Sequence, residues 1–260
     1  MSYPQGNLHL YRAISTISLS LSLCGSIMYY KNPNTTHTPF TPHFLVLTSY
    51  WFLIYVRQIG LTIASFIANE RRISMIYDSG WHFPIFNILH YVWTMLFINQ
   101  YFIFAELILL LNLINLLEMF SRQKTYGHKF FSDMFLLHVT VLSCPLSWVV
   151  FAIMWNGSLL CPCPDNQWTT ILGNISIWAF LSFGLFFVLK FKDWTTGAGT
   201  SLLMAALGID QSSTKLFGPQ WIFAFVISGV LVSVSVFTGI KGKSTSSQTE
   251  HEPLLQSRRN

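Results

Sequence analysis

Apolar stretches of roughly bilayer length recur along this chain, divided by short polar loops, and no other feature limits its fold so tightly. A helix rises about 1.5 Å per residue, so crossing a hydrocarbon core of about 30 Å takes about 20 apolar residues. Eight such stretches are read, over residues 13–30, 44–68, 83–99, 101–120, 134–155, 170–189, 197–209 and 219–240. The expected fold class is therefore all-α: a polytopic bundle of transmembrane helices with about eight spans, seven being the alternative. Residues 1–240 form the bundle and 241–260 a disordered cytosolic tail. Only 10% of the residues are charged, against about 25% in a soluble domain. That excludes a water-soluble globule and makes the lipid bilayer the first partner.

Individual stretches differ in strength. The first is Ser-rich and follows Arg12. A signal peptide is the alternative, but no small-residue cleavage signature follows, which favours a retained helix. Pro145 falls within the fifth stretch and should kink it. The seventh is short, which suggests a tightly packed or re-entrant helix. Within it Gly197, Ser201 and Ala205 recur every fourth position, and such residues let helix backbones approach closely in lipid. Pro219 opens the eighth at a first-turn position, where its missing N–H costs nothing.

Charge sets the orientation. Arg12, Arg71, Arg72, Arg122, Lys124, Lys129, Lys190, Lys192, Lys241, Lys243, Arg258 and Arg259 all fall on one side of an eight-span chain. The other side holds Lys31 and Lys215. Cytosolic loops carry the excess of Lys and Arg, so both termini are expected in the cytosol. The net charge of +5 thus marks topology, and no nucleic-acid partner is expected. Sequons at Asn34 and Asn156 fall in loops placed on the opposite face, as do Cys161 and Cys163, where glycosylation and a disulfide are permitted. Two separate thiols are the alternative for the Cys-Pro-Cys pair. The sequon at Asn174 lies inside a span and is read as having no meaning. Cys24 and Cys144 are read as small core residues.

Ionisable and strongly polar groups within lipid are costly and mark functional candidates. Arg57, His90 and Asn112 fall at similar depth and form a candidate polar layer. Asn112, Asn115 and Glu118, spaced by three, form a candidate stripe on one helix face. The layer reads either as a polar pathway or as a clasp that fixes helix packing. Glu106 lies nearer the membrane surface, and His138 near the cytosolic end of its span. Trp148 and Trp155 are read as packing and interface anchors. No catalytic residue, cofactor or metal site emerges from the spacing of His, Cys, Ser and acidic residues. In the tail, Glu250 followed by Leu254 and Leu255 matches an acidic dileucine signal. Clathrin-adaptor complexes read such signals and route cargo to vacuoles; the signal is an address rather than an anchor.

Two stretches carry a family resemblance: residues 145–157, and residues 187–194 (Phe-Val-Leu-Lys-Phe-Lys-Asp-Trp) continuing through 205–208 to 220–225. They resemble an uncharacterised fungal family of multi-pass membrane proteins, domain of unknown function 1774, from about Phe104 onward. The resemblance implies a multi-helix membrane protein and carries over no catalytic residue. Lys192, Asp193, Trp194 and Lys215 match positions of that family to which no role is attached. The leading functional expectation is a non-enzymatic component of secretory or vacuolar membranes, with vacuole or Golgi ahead of endoplasmic reticulum. A small-solute transporter or channel built on Arg57, His90 and Asn112 is the alternative. An intramembrane lipid enzyme using His138 or His90 is a weaker one.

Overall fold

The computed structural model describes residues 5–32, 36–67, 80–123, 139–160 and 167–256. Every regular element among them is helical. The helices are α1 (Gln5–Lys31), α2 (Phe44–Phe66), α3 (His82–Ile98), α4 (Phe102–Gln123), α5 (Cys144–Leu159), α6 (Gln167–Ser176), α7 (Trp178–Phe191), α8 (Trp194–Thr214) and α9 (Gln220–Gln256). Among the described residues six segments are long and apolar enough to cross a membrane: Leu8–Lys31, Phe44–Phe66, Phe102–Arg122, Val141–Leu159, Gln167–Phe191 and Gln220–Lys241. The apolar helix α3 is shorter, at 17 residues.

The weak first stretch has a structural reason for its serines. Ser15, Ser18, Ser22 and Ser26 recur at three- and four-residue spacing and are all buried. They form one face of α1. On that face the Tyr55 hydroxyl lies 3.0 Å from Ser22 Oγ and 2.7 Å from Ser26 Oγ, which ties α1 to α2. Cys24 points outward instead of joining the core, and Cys144 is half-buried.

Pro145 stands where one helical form gives way to another. A π-helical turn, Val139–Ser143, comes first, and Pro145 then occupies the opening turn of α5. The wider turn absorbs the hydrogen bond that a proline removes. The sixth expected stretch is two helices, α6 and α7, meeting at Ile177. There the Asn174 amide donates to Thr170 O and to Phe217 O in the turn before α9, so it serves packing.

The seventh stretch is tightly packed, as expected, but longer. α8 runs for 21 residues and is enclosed by neighbours, with Thr195, Thr196, Gly197, Gly199, Thr200, Ser201, Gly208 and Gln211 all buried. It forms an antiparallel pair with α9: Gly197 faces Ser235, Ser201 bonds Ser228, and Gly208 lies under the Phe225 ring. The small-residue positions at 197 and 201 thus do face a partner helix. α9 continues to Gln256, where the sequence predicts an irregular tail.

Candidate functional site

α3 and α4 form an antiparallel hairpin turned by Gln100, which sits in the left-handed region at φ 61°. Two asparagines of α4 hold it closed. Asn112 Nδ2 donates to Phe86 O at 3.4 Å, and Asn115 Nδ2 donates to His82 O at 3.1 Å. Asn115 Oδ1 also lies 2.8 Å from His82 Nδ1. Both asparagines are buried. Glu118 leaves the expected stripe: it is exposed and pairs with Arg122 on its own helix. The reason is helical drift. A three-residue step turns about 300°, so the third member of the stripe lies about 120° from the first.

Arg57 is exposed on α2, seven residues along from the buried Tyr50 that bonds Cys144 O. The expected layer is therefore split. His90 and Asn112 share the α3–α4 pair, one turn apart through Phe86, while Arg57 is on α2 and exposed.

His90 is the centre of an aromatic cluster. Its ring stacks on Trp51 at 4.2 Å between centroids and on Trp93 at 5.5 Å, with Trp148 edge-on at 6.4 Å. The cluster continues from Trp93 to Phe97, then to Trp155 and Tyr29. Trp148 and Trp155 are both core residues. A cleft lies beside the cluster, bounded by Ser26 and Tyr29 of α1, Trp51 of α2, His90 and Trp93 of α3, and Trp148 of α5. His90 Nε2, Trp93 Nε1 and Trp148 Nε1 are buried and have no hydrogen-bond partner. Neither the periodicity nor the charge pattern of the sequence indicated that four helices would converge their aromatic side chains here. The one available signal was the spacing of Trp148 and Trp155, two turns apart on one face.

A second polar centre also escapes sequence reading. Asp193 caps α8, accepting from the Thr195 and Thr196 backbone N–H groups at 3.2 Å each. It further accepts from Thr195 Oγ1 at 2.5 Å, Thr196 Oγ1 at 2.6 Å and Ser143 Oγ at 3.1 Å. Ser147 extends the network by donating to Thr196 O at 3.1 Å and accepting from Thr200 Oγ1 at 3.2 Å. A buried carboxylate with this many donors is well satisfied. The capping pattern of an Asp before a helix was legible, but only if the helix is started at Trp194 rather than Gly197.

The remaining candidates scatter. Asn156 is fully buried, and its Nδ2, the atom a glycan would join, donates to Phe102 O at 2.8 Å and Glu106 Oε2 at 2.7 Å. Glycosylation there would require breaking both bonds. Asn34, Cys161, Cys163 and His138 lie outside the described residues. Glu250, Leu254 and Leu255 fall on the helical backbone of α9. Among the described residues no three His, Cys, Asp or Glu side chains come together as a metal site would need.

Two comparisons find relatives. An uncharacterised protein of Schizosaccharomyces pombe is 30% identical over 89 residues, a stretch that spans about a third of this chain (33%) and a third of that protein (33%). No solved structure matches the chain. The model of a fungal family of unknown function (DUF1774) matches residues 170–259, so the Pro145 stretch lies outside the match. From α6 to the end of the chain the protein is thus similar to that fungal family.

Proposed function

We propose that this chain is a non-enzymatic, multi-pass component of fungal endomembranes, with both termini in the cytosol. One observation supports this reading above others: buried polar side chains join helices to one another. Asn112 and Asn115 bind α3 carbonyls, and Ser143, Ser147, Thr195 and Thr196 gather around Asp193. A solute pathway through Arg57 would need that side chain enclosed by the bundle, and it is exposed.

The tail supplies the address. Glu250, Leu254 and Leu255, displayed to cytosolic adaptor complexes, route the protein to the vacuole or Golgi. The test is direct. A fluorescently tagged chain carrying Leu254→Ala with Leu255→Ala should shift from the vacuolar or Golgi membrane to the cell surface or endoplasmic reticulum. An unchanged distribution would remove the sorting role.

A further inference from the structure

We propose that the segment joining α1 to α2, residues 36–43, is latched onto the far end of α8 by an acid-sensitive contact of His37 and His43 with Asp210. Uncharged groups already seat the segment there. The His43 backbone N–H donates to Ala206 O at 3.0 Å, and Gln211 Nε2 donates to Thr38 O at 3.0 Å. The Thr38 N–H donates to Thr41 Oγ1 at 2.8 Å, which folds the segment on itself. Thr38, Pro39 and Phe40 are buried, and the Phe40 ring lies 6.0 Å from that of Phe180 in α7. Charge is what this junction leaves incomplete. His37 Nδ1 lies 3.9 Å from Asp210 Oδ2, beyond hydrogen-bond reach but within ion-pair reach. Asp210 Oδ2 and His43 Nδ1 are both buried and have no hydrogen-bond partner. The His37 side chain is 51% exposed, so protons from the surrounding water reach it, whereas that of Asp210 is 13% exposed.

The chemistry gives the direction. Imidazole is the side chain that changes charge between about pH 5 and 8. A proton on His37 or His43 places a positive charge beside the Asp210 carboxylate. Asp210 also lies one turn before the end of α8 at Thr214, where the helix dipole favours positive charge. Seating the segment therefore favours proton uptake, and by linkage proton uptake favours the seated form. The latch tightens as pH falls through the imidazole range and slackens as pH rises. Neighbouring elements supply no substitute for the two histidines. α6 and the first turns of α2, α7 and α9 hold no charged residue. Tyr29, Tyr30 and an exposed Lys31 end α1, and an exposed Lys215 follows α8. Asp210 and Trp194 stand towards opposite ends of α8. Under the topology proposed above, the latch faces the lumen, the acidic side of vacuolar and Golgi membranes. That setting rests on the proposed topology; the proton-linked seating does not.

Hydrogen–deuterium exchange of the full chain in phosphatidylcholine nanodiscs, where both faces meet the buffer, reads the latch directly. Protection of peptides spanning residues 36–43 is compared at about pH 5 and about pH 7.5, the two sides of the imidazole range, after correction for intrinsic exchange. It should be about fivefold higher at the lower pH, which corresponds to about 1 kcal/mol for a part-exposed pair. His37→Gln with His43→Gln should remove that rise, and so should Asp210→Asn in a separate chain. Helical circular dichroism equal to that of the unmodified chain shows that each variant is folded. If the double variant fails to fold, His37→Gln alone, a change at an exposed side chain, takes its place and should at least halve the rise. Equal protection at the two pH values in the unmodified chain would overturn the proposal. So would a full rise that persists without the histidines, or one that persists in Asp210→Asn.

Discussion

Asn115 and Glu118 are one turn apart on α4 yet differ sharply in what they hold. Asn115 is buried and bonded across the hairpin to His82 at two points. Glu118 is exposed and pairs within its own helix. Interhelical hydrogen bonds in membranes average about 0.6 kcal/mol and reach about 1.7. Asn115→Leu should therefore lower stability by about 1 kcal/mol in reversible unfolding from bicelles. Glu118→Gln should change it by less than about 0.5 kcal/mol, as exposed pairs do. Equal effects of the two would mean that the clasp does not contribute. Asp210, beyond the apolar stretch of α8, gives a pH prediction. Burial raises its pKa above the ordinary 3.8, and His37 and His43 nearby oppose that shift. A carboxyl whose folded pKa is raised binds its proton more readily in the folded state. Stability is then greatest on the acid side and falls as pH rises from about 3.8 through the raised value. Asp210→Asn should flatten that decline in a thermal-unfolding series from pH 4 to 7. A series as steep as that of the unmodified chain would assign the decline to other groups.

At the scale of helices, close approach sets the energies. A Cβ added at Gly208 would meet the Phe225 ring at 3.0 Å, and one at Gly184 would meet Leu231 Cδ2 at 2.6 Å. Gly60, on the outer side of α2, has nothing within 4 Å. Gly208→Leu and Gly184→Leu should each cost about 1–3 kcal/mol through overpacking, while Gly60→Leu should leave the unfolding midpoint unchanged or raise it. Comparable losses at all three sites would show that the α8–α9 and α7–α9 contacts are not the tight ones. Element existence was legible because hydropathy reports it directly. The stretches at 44–68, 101–120 and 219–240 coincide with α2, α4 and the apolar part of α9. The errors have physical causes. The sequence reading of α8 was too short because its Thr and Ser are buried against protein and so look too polar for lipid. The polar stripe on α4 was overextended because a three-residue period drifts around the helix. Arg57 was grouped with His90 and Asn112 on depth alone, and depth says nothing about exposure, which is high at Arg57. The aromatic cleft was invisible because it joins residues from Tyr29 to Trp148 that no local period connects.

Across the whole molecule, the helices differ in how far they depend on one another. α9 and α4 present broad outward apolar faces, with Phe237, Ile240, Ile103 and Ile114 all exposed, as a surface bathed in lipid requires. α8 presents little of that kind. It is as long as a bilayer is thick, yet its threonines, serines, glycines and Gln211 suit a protein interior. Such a segment partitions poorly into hydrocarbon on its own. Biogenesis must then be ordered: during synthesis α8 waits beside the insertion machinery until α9 emerges and gives it a wall to lean on. A chain released after Thr214 should leave α8 open to added protease in microsomes, whereas a chain reaching Ile240 should shield it. If the shorter chain integrates just as firmly, the segment enters unaided and the last helix merely arrives afterwards.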